Sequence, residues 1–215
     1  MRRIDEKTRK KAAKTRFPTP TIPNKRTKEE KVKAITKHVR DIMEILELDL
    51  QDESLAKTPM RVANMYVNEI FSGLDPHNFP DVNLISSPSK EMISVQARFY
   101  SFCEHHFVPM HGQAVVAYLP HDDVIGLSKI PRLIRFFARR PQIQERLTCQ
   151  IADALKTLLG HDDVAVWIEA RHYCVAARGI EDEKGCMITK NFNGQFKDSK
   201  ELQDHFFQSM RYKSN

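Results

Sequence analysis

Residues 92–119 read MISVQARFYSFCEHHFVPMHGQAVVAYL. From Met92 to Phe102, and again from Gln113 to Leu119, the side chains are β-branched or aromatic and alternate in part with polar ones, which predicts two strands. Between them stands the run Cys103-Glu104-His105-His106-Phe107. Residues 164–174, VAVWIEARHYC, alternate once more; in a regular strand Val164, Val166, Ile168, Ala170, His172 and Cys174 share one face. Thiols and imidazoles therefore gather where strands end.

Outside these strands the pattern turns helical. Thr27-Lys28-Glu29-Glu30 is a capping-box sequence, in which a threonine hydroxyl and a glutamate side chain satisfy free amides at a helix start. Val32, Ile35, Val39, Ile42, Met43, Ile45 and Leu46 then recur at helical spacing to about residue 47 and predict one apolar face. A second helix is expected from Thr58-Pro59, with Val62, Met65, Tyr66, Ile70 and Phe71 as its face and Gly73 as its stop. Ser128 is placed to cap a third, whose first turn holds Lys129, Pro131 and Arg132. Pro141 is expected to open a fourth through Ile143, Leu147, Ile151, Leu155 and Leu158 to Gly160, and a last helix spans about Glu201 to Met210.

The 215 residues, 41% of them hydrophobic, suffice for one well-packed domain or a domain with an appendage. A charged fraction of 29% and only 7 glycines exclude collagenous and low-complexity chains. No apolar run approaches the ~18 residues of a membrane span. The four cysteines are too few for a disulfide scaffold and read instead as metal ligands or buried thiols of a reducing compartment. The opening MRRIDEKTRKK lacks the apolar stretch of a secretory signal, so the expected location is the cytoplasm. Residues 1–28 hold 11 Lys and Arg against 2 Asp and Glu, which leaves the other 187 residues with a net charge of −3. This basic start reads as a solvated, flexible arm, joined to the body by the proline-rich FPTPTIPNK. The expected division is an arm over 1–26, a helical segment over 27–75 and a catalytic domain over 76–215.

Cys103-x-x-His106 has a short metal-ligand spacing, and Cys174 is the candidate for a distant third ligand. Two cysteines and one histidine leave a fourth position open, as in hydrolytic rather than structural zinc sites. Either His105 or His106 serves as the ligand; the other, with His172, is available for proton transfer near neutral pH. Ser128-Lys129-Ile130-Pro131-Arg132 brings cations to a helix start and suits a phosphate, although a capped helix with solvated lysine and arginine reads the same way. Glu145 either favours the next helix dipole or, beside a ligand, accepts the paired donors of a guanine edge. Arg178 is a phosphate clamp or an ordinary surface arginine.

Four stretches, TPMRVANMYVNEIFSGL, CEHHFVPMHGQAVVAYLP, VIGLSKIPRLIRFFARRPQIQERLT and HYCVAARGI, stand in the order found in one family. From about residue 30 onward the chain resembles zinc-dependent GTP cyclohydrolase I. The resemblance implies an α+β tunnelling fold: an antiparallel sheet with two helices packed on one side, plus N-terminal helices, the subunits joining their sheets into a barrel. It implies a homodecamer of two pentamers with active sites between subunits, and Zn2+, one per subunit, held by Cys103, His106 and Cys174. His105 and His172 would transfer protons. Glu145 with Gln144 would hold the guanine of GTP, and Ser128, Lys129, Arg132 and Arg178, with Arg61, the triphosphate. The implied reaction opens the imidazole ring of GTP at C8, releases formate and recloses to 7,8-dihydroneopterin triphosphate after an Amadori-type rearrangement.

In place of the Ser/Thr-rich stretch usual after RGI, this chain has EDEKGCMITKNFNGQF over residues 181–196. Cys186 there reads as a spectator thiol and Cys149 as a packing residue. Two other readings use the same residues: a nucleic-acid-binding protein with structural zinc closed by a fourth ligand, and a related tunnelling-fold enzyme acting on another pterin or purine. The resemblance favours GTP as the partner, with no membrane and no nucleic acid.

Overall fold

The structure, a computed structural model, describes residues 2–22 and 24–210. In chain order its elements are β1 (Arg2–Arg3), α1 (Glu6–Lys14), α2 (Lys28–Ile45), α3 (Thr58–Asn64), β2 (Asn83–Ser86), β3 (Ile93–Cys103), β4 (Pro109–Tyr118), β5 (Asp123–Ile125), α4 (Lys129–Ala138), β6 (Pro141–Gln142), α5 (Gln144–Leu159), β7 (Val164–His172), α6 (Tyr173–Ala176), β8 (Met187–Phe192), α7 (Gln195–Asp198) and α8 (Lys200–Ser209).

The two strands around CEHHF pair directly, from Ile93 opposite Tyr118 to Phe102 opposite Pro109. They belong to a five-stranded sheet of order β6-β3-β4-β7-β8, antiparallel except for the two-residue β6. β1, β2 and β5 form a small second sheet. Helices α4 and α5 lie on one face of the main sheet, where Leu133, Ile134, Phe137, Leu147, Ile151 and Leu155 bury Phe99, Val116, Val166 and Ile168. On the other face Val115, Ala117 and Ala165 are covered by Phe196 and Phe206 of α7 and α8. Strand segments buried on both sides lose the polar half of their alternation, which is why the sequence alternates only in part. The fold is α+β with an antiparallel sheet and two helices on one side, as expected. None of the described helices is long and apolar enough to cross a membrane.

Gly112 sits in mid-sheet between Phe99 and Ala170. A Cβ there would run into the carbonyl oxygen of Glu169 and the backbone of Ala170. Gly112→Ala is expected to destabilise the protein by at least about 3 kcal/mol, the upper part of the overpacking range, read as a lowered urea midpoint. An unchanged midpoint would contradict the strand register.

Helix α2 begins as its capping box requires: Glu30 N donates to Thr27 Oγ1 (3.2 Å) and Thr27 N to Glu30 Oε2 (2.7 Å). Its apolar face is only partly used, since Met43 is buried while Ile42, Ile45 and Leu46 are exposed. The expected helix from Thr58 to Gly73 is α-helical only to Asn64; a π-helical turn, Met65–Ile70, and a 3-10 turn, Ser72–Leu74, follow. The π turn sets Tyr66 and Phe71 against Phe107 of the CEHHF loop, ring centroids 6.2 and 5.0 Å away.

Three expectations need correction. Residues 2–19 do not form a solvated arm. β1 pairs with β2, α1 packs on α5 with Ala12 buried, and Gln150 Nε2 donates to the Phe17 carbonyl (2.7 Å). Its charges meet the acidic body: Arg2 pairs with Asp123 (2.7 Å), Arg3 and Arg9 with Asp81 (2.9 Å each), and Arg16 with Asp153 (3.2 Å). In the expected linker Pro23 lies outside the described residues. Pro141 opens no helix but a short strand beside Phe102, and α5 starts at Gln144. Ser128 stands at the N-cap of α4 without a capping hydrogen bond, because its own backbone is already helical.

Candidate metal centre

The CEHHF run is a tight turn between β3 and β4. Phe107 N donates to the Cys103 carbonyl (2.8 Å), Cys103 N to Val108 (2.9 Å) and Glu104 N to Gln142 of β6 (3.0 Å), while Phe107 takes the left-handed φ of 54° that closes the turn. Adjacent histidines diverge in a strand; in this turn both approach one sulfur, His105 Nδ1 at 3.7 Å and His106 Nδ1 at 3.9 Å from Cys103 Sγ. Glu104 is fixed by the Arg146 guanidinium of α5 (3.3 Å to Oε1), whose hydrogen bond holds the carboxyl below its usual range. Neither Glu104 nor Arg146 emerged from sequence spacing, although each adjoins an expected site residue.

β7 ends at His172, so Cys174 projects from the helical turn α6 and not from the strand face expected of it. The turn still delivers it: donor atoms of Cys103, His106 and Cys174 all lie within 4.8 Å of one another. Burial and the neighbouring Cys103 thiol push the Cys174 thiol up; a bound cation reverses that preference by stabilising thiolate. Ligands of one tetrahedral zinc lie about 3.5–3.8 Å apart at ordinary Zn–S and Zn–N lengths. Two thiols and an imidazole at this spacing therefore fit a metal ion, and the donor set suits a borderline-soft one.

Beside the cluster, His172 is held by Gln144, whose buried carboxamide is fully engaged. Gln144 Nε2 donates to Ile168 O (3.1 Å), Met187 O (2.9 Å) and Thr189 Oγ1 (3.1 Å), and Oε1 lies 2.8 Å from His172 Nε2. Carbonyls only accept, so the amide nitrogen must face them and the amide oxygen must face the imidazole. His172 then donates from Nε2, and its neutral ring carries the free lone pair on Nδ1. Burial pushes the His172 imidazole down, and Glu145 acts in the opposite direction.

The sequence profile of the family described as GTP cyclohydrolase I matches residues 35–211. The chain belongs to the GTP cyclohydrolase I family. Among curated relatives, GTP cyclohydrolase 1 of Erwinia tasmaniensis is 53% identical over 182 residues, covering 83% of this chain and 82% of its own. That of Vibrio vulnificus is 49% identical over 196 residues, covering 90% of each. Among solved structures, the apo archaeosine synthase QueF-Like has a TM-score of 0.40 and 14% identity, covering 48% of this chain and 93% of its own.

The other residues expected from the GTP cyclohydrolase I resemblance divide into two groups. Arg178 is at the cluster, its Nη1 3.2 Å from His106 Nε2, and Glu145 lies near His172. Gln144 is buried, with its carboxamide hydrogen-bonded to β7, β8 and His172. Lys129 and Arg132 lie in the first turn of α4, with Ser128 at its N-cap. The C-terminal end of α4 abuts β3 near the metal cluster, where Ser101 Oγ donates to Ala138 O (2.7 Å), while its N-terminal end adjoins Gly126, bonded to Asn83. The length of α4 puts Ser128 about 15 Å from that end. Arg132 instead lines a basic cavity of about 400 Å3 with Arg135, Arg139 and Lys28. Arg61 is exposed on α3. Cys186 is exposed, 3.5 Å from Glu169 Oε1, and Cys149 is half-buried under Asn191 (3.3 Å); neither joins the cluster. The atypical 181–196 segment nonetheless supports the site, since Met187 and Thr189 of β8 hold Gln144.

Proposed function

We propose that this protein converts GTP and water to 7,8-dihydroneopterin triphosphate and formate, with zinc at Cys103, His106 and Cys174. The observation that carries this reading is the convergence of those three donors in a chain of the GTP cyclohydrolase I family. Zinc held there supplies a Lewis acid that lowers the pKa of water to near neutrality. His172, presenting Nδ1, and His105 exchange protons with the purine imidazole and its opened form. Gln144 fixes the tautomer and direction of His172. Glu145 accepts from the guanine edge, and Arg178 attracts phosphate beside the cluster. The triphosphate itself does not react, so its binding serves to position the ring.

The placement of Ser128 and Lys129 at the end of α4 away from Ser101 and the Cys103, His106 and Cys174 group supports a site completed by another copy of this chain. Among the described residues, the outer edge of β3 over residues 93–101 and that of β8 are unpaired. Such edges suit strand addition between subunits, and we take the assembly to be a barrel-forming decamer of two pentamers. Arg132→Ala is expected to raise KM for GTP by about tenfold or more with little change in thermal unfolding. Mixing unfolded and refolded Arg132→Ala and Cys174→Ala chains should restore activity through hybrid sites. An unchanged KM, or no complementation, would remove these assignments.

The function is tested by incubating the purified protein with GTP, following formate and the fluorescence of the oxidised pterin. Equimolar products, lost on chelation and restored by zinc, are expected. Intact GTP in the presence of bound metal would refute the activity and direct attention to other purines and pterins.

A further inference from the structure

A cavity of about 560 Å3 lies between the N-terminal segment, residues 6–21, and the body at Leu74–Phe79 and Arg140. Much of its wall precedes residue 35, where the family match begins, and none of its lining belongs to the metal, proton-transfer or substrate set. Four cations line it: Arg9 is paired with Asp81 (2.9 Å) and Lys10 with Glu6 (2.6 Å), whereas Lys14 and Arg140 have no ion pair among the described residues. Six buried side-chain nitrogen or oxygen atoms among the described residues lack a hydrogen-bond partner, and four of them, Arg9 Nε, Thr15 Oγ1, Thr19 Oγ1 and Arg140 Nε, belong to residues of this wall. Buried polar groups are nearly always satisfied, so four orphans around one cavity call for a common partner.

Arg140 makes the strongest case. It is 7% exposed, its guanidinium lies 4.5 and 4.8 Å above the rings of Phe136 and Phe137, and it has no ion pair among the described residues. Burial without an anion pushes its pKa down to about 10. A buried cation of this kind is costly unless a counter-charge reaches it. Thr19 is likewise 8% exposed, and Thr15 is held at a φ of 40°, which a β-branched residue rarely adopts. The volume falls in the range of small-molecule sites.

We propose that this cavity binds a small phosphate-bearing anion, with Lys14 and Arg140 supplying charge and Arg9 Nε and the hydroxyls of Thr15 and Thr19 donating hydrogen bonds. Guanidinium forks match phosphate oxygens in pairs. Phe79 and Pro76 offer an apolar side for the remainder of such a molecule.

The test uses full-length protein carrying Lys129→Ala and Arg132→Ala, so that the proposed triphosphate subsite does not take the probe. Titration calorimetry with inorganic tripolyphosphate should show one equivalent bound per chain. Adding Lys14→Ala should weaken binding about tenfold. Thr19→Val should also weaken it while leaving the unfolding midpoint unchanged or raised, because removing an unpaired buried hydroxyl costs the fold nothing. Absence of binding, or affinity indifferent to both changes, would overturn the proposal.

Discussion

Cys174→Ala is expected to abolish stoichiometric zinc and lower kcat/KM for GTP by at least about 10³-fold, while thermal unfolding in the absence of metal stays close to that of the parent. Cys174 is half-buried on the short α6, and among the described residues it contributes to no core cluster. Truncating it removes a donor and little packing. His105→Ala is expected to behave differently: zinc at full stoichiometry, with turnover reduced about 10²- to 10³-fold, the range of a lost proton-transfer group. Both histidines of the turn approach Cys103 Sγ to within 0.2 Å of the same distance, 3.7 and 3.9 Å, so proximity alone does not divide their roles. The division rests on His106, whose donor atom falls within the three-way cluster with Cys174. Metal analysis of the two variants side by side checks it, and equal zinc loss in both would contradict it.

Gln144→Ala should have the second largest effect. It leaves Ile168 O, Met187 O and the His172 ring without their partner at a site where Gln144 is 1% exposed. Unsatisfied buried groups of this kind cost about 1–3 kcal/mol each, so a loss of several kcal/mol is expected. A positioning role predicts more than instability: at a temperature where the variant is folded, kcat should fall about 10²-fold with KM and zinc content nearly unchanged. Gln144→Glu keeps an acceptor for His172 but turns a carboxylate towards two carbonyls, so it should be less stable than the parent as well. Parent-like kcat in folded Gln144→Ala would show that His172 needs no such support.

Much of the metal centre was legible because its chemistry is local. Cys103-x-x-His106 stands between two strands whose composition marks them, and the family blocks fall around it in order. The route by which Cys174 arrives was not legible. Alternation through VAVWIEARHYC extends the strand to Cys174, but hydrogen bonding to β4 ends with His172 opposite Met110, and the chain then turns helical. The role of Gln144 was hidden for another reason: its partners lie on β7 and β8, 24 to 45 residues away, and β8 falls within the segment that departs from the family pattern. The docking of residues 2–19 illustrates a further limit. A run of cations has the composition of a solvated tail, and only the positions of Asp81, Asp123 and Asp153 on the folded body turn it into a docked one. The small sheet of β1, β2 and β5 was missed with it, since strands of two to four residues carry too little periodicity to be read.

The proposed zinc site has three protein ligands and one open position, and zinc-edge X-ray absorption of the purified, zinc-loaded protein reads both. Two sulfurs, one imidazole nitrogen and one light atom that is replaced or shifted when GTP is added are predicted. A closed shell of four protein ligands, with His105 or His172 as a second nitrogen and no response to GTP, would contradict it and return the site to a structural role.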